Sequence, residues 1–199
     1  MDISWLGKNS FRVSDELIDV IINPDNEDID SSSYNENTVL VCTDNHELFS
    51  SDLTVVDSPG EYEVNDLSIF GVANAIINDQ EKRISTCYKL ESRGLSVAIV
   101  GMIGSPFDSE TLSVLTSSSI VIFSPDNNNI DSESLSNIIR SLDTKKILIS
   151  GFDKNSSSSS KGLDAIIKVL GIKDFEPKNK VSFNISNLGD VQEIIILEN

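Results

Sequence analysis

Asp44 and His46 stand two residues apart in Val41-Cys42-Thr43-Asp44-Asn45-His46-Glu47, at the end of an apolar run. An imidazole beside a carboxylate can hold a metal or act as a base. Zinc needs three or four convergent nitrogen, sulfur or oxygen donors. Asp44 and His46 supply two, and Glu47 or Asp25 could complete a weak mononuclear site. His46 is the sole histidine of the chain, and Cys42 and Cys87 lie far apart in sequence. A zinc centre built from histidines is therefore excluded by composition. The same pair could serve a serine nucleophile. Serines are abundant, however, and no Gly-x-Ser-x-Gly elbow is present. The plainer assignment is a hydrogen-bonded loop at a strand end.

Other candidates are weaker. Lys8 could face a ligand pocket, but a lysine more often packs its stem and keeps its ammonium in water. Glu61 and Glu63 are two apart on an extended segment, so they share a face and repel. Glu61 is expected to accept backbone N–H bonds at the Pro59-Gly60 turn. Cys42 and Cys87 each sit in an apolar, strand-like run and read as buried small hydrophobes, with a disulfide as the alternative. No Walker loop, Gly-x-Gly-x-x-Gly or Cys-x-x-Cys occurs.

The chain has 199 residues and a formal net charge of −17. Its longest basic runs are dipeptides, Lys82-Arg83 and Lys145-Lys146. A nucleic-acid binder needs a basic stripe, so nucleic acid is not an expected partner. Anionic membrane is disfavoured for the same reason, and the longest apolar stretch, 95–104, is too short to span a bilayer. Met1-Asp2-Ile3-Ser4-Trp5 has neither the basic nor the apolar part of a signal peptide. A cytoplasmic protein is expected.

The elements that must position these groups follow from periodicity. Strand signals fill the first half: 3–6, 11–13, 17–22, 38–42 and 53–56. Hairpins are expected around Asn65-Asp66 and around Glu91 to Gly94. Acidic 26–37 reads as a surface loop. Strands and helices alternate in the second half. Ile120 to Phe123 and Lys146 to Ile149 are strands. Leu135, Ile138, Ile139 and Leu142 form a helical stripe, capped by Asp131 or Ser132. Leu163, Ile166, Ile167 and Leu170 form another, stopped by Gly171. Val181 to Ile185 and Ile194 to Leu197 are strands, and the serine run 156–160 reads as a mobile loop. One mixed α/β layer structure over 1–199 is expected.

The order of these motifs resembles the small metallo-β-lactamase-fold hydrolases. Ile3-Ser4-Trp5-Leu6-Gly7-Lys8-Asn9-Ser10-Phe11-Arg12-Val13 is similar to their opening I-x-W-L-G-H-S-x-F-R-I. Ile22-Asn23-Pro24 stands at their Asp-Pro turn, and Pro59-Gly60-Glu61-Tyr62-Glu63-Val64 matches their Pro-Gly-Glu-Tyr-Glu segment. Val41 to Glu47 stands where they carry Thr-His-x-His-x-Asp-His. Leu95 to Gly104 parallels a strand ending His-Leu-Gly-Asp-x-Gly, and Ile147 to Lys154 one ending Pro-x-His-Tyr. The branch most similar is that of ascorbate-6-phosphate lactonases and related zinc-dependent hydrolases. The resemblance implies an αββα four-layer sandwich with its site at the sheet edges.

It also implies where zinc ligands would stand. In the zinc motif the first histidine position is Asp44 and the second is His46. The following aspartate is Leu48 and the last histidine Phe49. The next histidine is Ile99, the metal-bridging aspartate Met102, the final histidine Phe152, and the opening histidine Lys8. These replacements withhold the donors through which the family lowers a water's pKa. The expectation is a pseudoenzyme with a degenerate zinc site, no catalytic residue and no cofactor, although the family would use zinc. Asp44 and His46 are its remnant. Phe49, Ile99, Met102 and Phe152 are expected to fill the old metal cavity as an apolar plug. The chain would then act as a binding or scaffold domain, as a homo-oligomer or paired with an active relative. The alternative is a hydrolase with a site rearranged around Asp44 and His46.

Overall fold

The computed structural model describes residues 1–24, 34, 36–44, 53–77, 82–103, 107–127 and 131–199. Two β-sheets face each other. The first takes strands in the order β13-β1-β2-β3-β4-β5. These are β1 (Asp2–Gly7), β2 (Ser10–Ser14), β3 (Asp19–Ile22), β4 (Thr38–Val41), β5 (Thr54–Val56) and β13 (Lys180–Ser182). The second runs β12-β11-β10-β9-β8-β7-β6, with β14 also paired to β11. Its strands are β6 (Gly60–Val64), β7 (Leu67–Ile77), β8 (Lys82–Ser92), β9 (Leu95–Ile99), β10 (Ile120–Phe123), β11 (Lys146–Asp153), β12 (Ser158–Ser159) and β14 (Glu193–Glu198).

Alternation places one set of side chains between the sheets. Ile3, Val13, Val20 and Val41 of the first sheet meet Leu90, Val97, Ile99 and Leu148 of the second. The opposite face of the second sheet buries Ala98, Val121, Ile147 and Ile196 against the helices. Strands β9, β10, β11 and β14 are parallel, and every residue of β9 and β10 is buried. Such two-sided burial is why β10 is continuously apolar and β9 nearly so, with Ser96 its one polar residue.

Parallel neighbours need crossover connections, and helices supply them. Helix α1 (Ser109–Thr116) joins β9 to β10, and α2 (Ser132–Ser141) joins β10 to β11. Helix α3 (Lys161–Leu170) packs on α2 and on β11. Asp131 caps α2 through Ser134 N, Ser160 caps α3 through Leu163 N, and Gly171 ends α3 at φ 72°. Both predicted stripes face the sheet. Helix α1 has no such stripe: it is rich in Ser and Thr, and only Thr111 and Leu115 are buried, so periodicity does not reveal it. The three helices make their main contacts with the second sheet and with each other. The mixed α/β fold with two sheets is as expected. No described helix is long and apolar enough to cross a membrane.

Both predicted hairpins form, the second with a turn tighter than the expected Glu91 to Gly94. Asn65 and Asp66 have φ of 49° and 64°, and Arg93 and Gly94 have 49° and 76°. Positive values at both positions are what a type I′ turn requires.

Two expectations are corrected. The serine run is not a mobile loop. Asp153 Oδ1 accepts from Asn155 N at 2.8 Å, its Oδ2 accepts from Ser156 Oγ at 2.8 Å, and the chain returns as β12 before Ser160 caps α3. The predicted strand over 181–185 stops at Ser182. Asn184 Oδ1 accepts from Ser186 N and Asn187 N at 2.9 and 3.0 Å. This side-chain turn competes with the ladder and leaves Ile185 exposed.

Candidate functional site

Strands β3, β4, β9, β10 and β11 bring their C-terminal ends to one rim, and small polar residues follow the apolar runs of all but β9. Asn23 follows β3, Thr43 and Asp44 follow β4, Ser124 follows β10, and Ser150 lies within β11. Their side chains bond mainly to one another and to the main chain. Asn23 Oδ1 accepts from Thr43 N at 2.8 Å and from Thr43 Oγ1 at 3.1 Å. Ser124 Oγ donates to Asn9 Oδ1 at 2.7 Å, and Ser150 Oγ donates to Ser124 Oγ at 3.3 Å. Thr43 Oγ1 lies 3.1 Å from Asp44 Oδ2, to which it can also donate.

A second set ties β8 and β7 to the segment after β9. Ser85 Oγ donates to Thr43 O at 3.1 Å and accepts from Met102 N at 2.9 Å. Asn74 Nδ2 donates to Met102 O at 3.0 Å. A Cβ on the intervening Gly101 would collide with Ser85 Oγ and lie 2.8 Å from Thr86 O. The main chain can pass here only as glycine.

The predicted site residues separate. Asp44 stands half-buried at the rim. His46, Leu48 and Phe49 lie outside the described residues, as do Asp25 and Glu47. Ile99 pairs with Tyr88 across the β8–β9 ladder and is buried between the sheets. Met102 is partly buried, its main chain held by Ser85 and Asn74. Phe152 packs on the helix side of the second sheet, edge-on to Phe175 at a centroid distance of 6.0 Å. Ile99 and Phe152 therefore belong to cores on opposite faces of one sheet, and the expected plug does not assemble from them. A register shift in the β11–β14 ladder between Ile149 and Phe152 accompanies this placement.

Among the described residues at the implied ligand positions, Asp44 keeps a carboxylate that could hold zinc, and the others fit it poorly. Ile99 and Phe152 offer no donor atom, and the Met102 thioether is a poor ligand. No three His, Cys, Asp or Glu side chains among the described residues form a group that could hold a metal. Lys8 is exposed at φ 46°, in a turn where Trp5 Nε1 donates to Lys8 O at 2.9 Å.

The Pro59-Gly60 turn is held differently from expectation. Glu61 and Glu63 point outward on β6 and are exposed. Tyr62 and Tyr88 hydroxyls both donate to Ser58 O, at 2.8 and 3.2 Å. Burial raises the Tyr88 phenol above its usual range. Cys42 and Cys87 are free and fully buried. Burial, with lesser help from Asp57 and Asp44, pushes the Cys42 thiol up to about 12. Burial pushes Cys87 up to about 12 as well. Neither thiol is a nucleophile at neutral pH. The neutral network was not singled out from sequence; its one signal is a small polar residue close behind the apolar runs of β3, β4, β10 and β11.

A family profile described as a β-lactamase superfamily domain matches residues 2–149, most of the chain. The chain belongs to the metallo-β-lactamase superfamily. Solved structures with the superfamily's fold agree. One, from Thermotoga maritima, is described as a candidate Zn-dependent hydrolase of this superfamily; it is 18% identical with a TM-score of 0.72, over 100% of each chain. A candidate metal-dependent hydrolase from Parabacteroides distasonis is 12% identical with a TM-score of 0.61, over 98% of this chain and 91% of its own. Another from Veillonella parvula is 10% identical with a TM-score of 0.59, over 92% and 99%. Identities this low speak to the superfamily's fold and not to its activity. No curated protein matches.

Proposed function

We propose that this is a metallo-β-lactamase-fold protein that no longer works through zinc and serves as a non-catalytic binding or scaffold domain in the cytoplasm. The observation that carries the reading is Ile99. Its side chain stands where the resemblance implies a histidine ligand, and it is 2% exposed inside the inter-sheet core. A substitution there that restored a donor would also place a polar group in an apolar layer. Met102 supports the same reading, because a thioether stands where a bridging carboxylate is implied. The Trp5-Leu6-Gly7 and Pro59-Gly60-Glu61-Tyr62-Glu63 segments favour the lactonase-like branch, and a homo-oligomer or pairing with an active relative suits a scaffold.

Elemental analysis of protein purified from zinc-containing medium tests this. Less than about 0.1 equivalent of zinc should survive dialysis against a mild chelator. His46 gives a second readout, because it is the only histidine. Its NMR resonances should not move on adding micromolar zinc. Near-stoichiometric zinc, or a large zinc-dependent shift of His46, would instead establish the rearranged hydrolase around Asp44.

A further inference from the structure

A chain of net charge −17 should repel anions almost everywhere, yet one groove gathers ammonium groups. It has a volume of about 230 Å³ and is lined by Lys146, Lys178 and Lys180, with Glu193 as the acidic side chain among its lining residues. Lys146 and Glu193 stand at the N-terminal ends of β11 and β14, while the main chain of Lys178 is bonded near the C-terminal end of β14. Lys178 bridges to Leu197 of β14, and after a bend at Asn179 Lys180 opens β13 and pairs with Ser4 of β1. Lys146 opens β11 opposite Glu193.

The three lysines differ in what holds them. The Lys146 side chain is 9% exposed and donates to Glu193 Oε2 at 2.7 Å, whereas the Glu193 side chain is 53% exposed. Lys180 pairs with Asp2 at 2.5 Å. The Lys178 ammonium has no hydrogen bond or ion pair among the described residues; only its main chain is bonded, to Ile196 and Glu198. One buried ammonium thus rests on a carboxylate that can turn outward, beside one with no partner.

We propose that this groove binds a small oxyanion carrying more than one negative charge, phosphate being the simplest. The volume sets the size, because pockets for drug-sized ligands run from about 300 to 1,000 Å³. The charge sets the sign: three ammonium groups meet two carboxylates, Glu193 on Lys146 and Asp2 on Lys180, which leaves Lys178 in excess. Glu193 acts as the internal competitor: it occupies the buried Lys146 when the groove is empty and yields when an anion arrives. The site is independent of the strand-end rim and of whether zinc binds there.

The test is a titration of the isotope-labelled full chain with inorganic phosphate at constant ionic strength, following the backbone amides of Lys178, Lys180, Ser182 and Asn187. A saturable shift confined to the groove is expected. Lys178→Ala should weaken binding about fivefold, in line with one lost exposed charge pair. Glu193→Gln should tighten it by about the same factor, because the competing charge goes while an acceptor for Lys146 remains. Lys168→Ala, on the exposed side of α3, should change nothing. Glycerol phosphate in a parallel titration separates the sources: tighter binding than inorganic phosphate supports a phosphomonoester ligand, and weaker binding supports the free anion. Shifts that never saturate, equal weakening by Lys168→Ala, or a Glu193→Gln variant that binds no more tightly would each overturn the proposal.

Discussion

Cys42 and Cys87 behave as apolar volume, and their burial gives the fold a pH dependence of defined sign. An unfolded chain ionises these thiols near 9.0, while both are pushed up to about 12 in the folded state. Between those values the unfolded chain has released protons that the native state keeps. Stability is therefore complete below pH 9.0 and is lost as pH rises toward 12. Tyr88, also raised by burial, acts in the same direction at higher pH. The urea midpoint should be level near neutrality and fall between about pH 9 and about pH 11. Cys42→Ala and Cys87→Ala should each shallow that fall while lowering the midpoint at neutral pH, since each leaves a small cavity. A midpoint that stays level to about pH 11 would mean that the thiols reach water in the native state.

Elements explain where Phe152 went. Strand β11 runs past Gly151, whose φ of 119° turns the strand, and β12 and β14 both pair at Phe152. The ring then lies on the helix side against Phe175 and is only partly buried. A fully buried phenylalanine costs about 3–5 kcal/mol when cut to alanine, the cost a plug would imply. A half-buried edge-on pair suggests about 1–2 kcal/mol for Phe152→Ala. Phe175→Ala should be close to non-additive with it, which a double-mutant cycle in urea would measure. A loss above about 3 kcal/mol would return the ring to a core.

Across the whole molecule, the last fifty residues are not an appendage to the part that the family profile matches. Strand β13 pairs with β1 in the first sheet, and β14 pairs with β11 in the second. Val181 and Phe183 join the inter-sheet core. Each sheet thus depends on the chain's C-terminal part. Unfolding followed by Trp5 fluorescence and by circular dichroism should give one coincident transition. A chain ending at residue 149 should show no cooperative transition. The surplus of 32 acidic over 15 basic residues should make the full chain more stable as salt is raised from about 10 to about 150 mM, because screening weakens self-repulsion. Two separated transitions, or a folded truncated chain, would show that the two parts stand alone.

Local chemistry was readable from sequence alone wherever neighbouring residues decide it. Asn65-Asp66 and the segment Glu91 to Gly94 mark their hairpins, Gly171 stops α3, and the continuous apolar run at 38–42 specifies a strand buried on both faces. The Trp-Leu-Gly and Pro-Gly-Glu-Tyr-Glu segments, in order, were enough to reach the superfamily. Helix α1 stayed hidden because capping by Asp108 and packing of Leu115 hold a segment whose own pattern is weak. The strand-end site needed three dimensions. Aligned positions say which residues replace ligands, but they do not say which face of a sheet each side chain takes. One irregularity in β11 sends Phe152 to the helices while Ile99 stays between the sheets, and only the packed sheets bring Asn23, Thr43, Ser85 and Met102 into one network. Alternation fixes a side chain's face only while register holds, so tertiary pairing, not sequence spacing, decided where the residues at the implied ligand positions point.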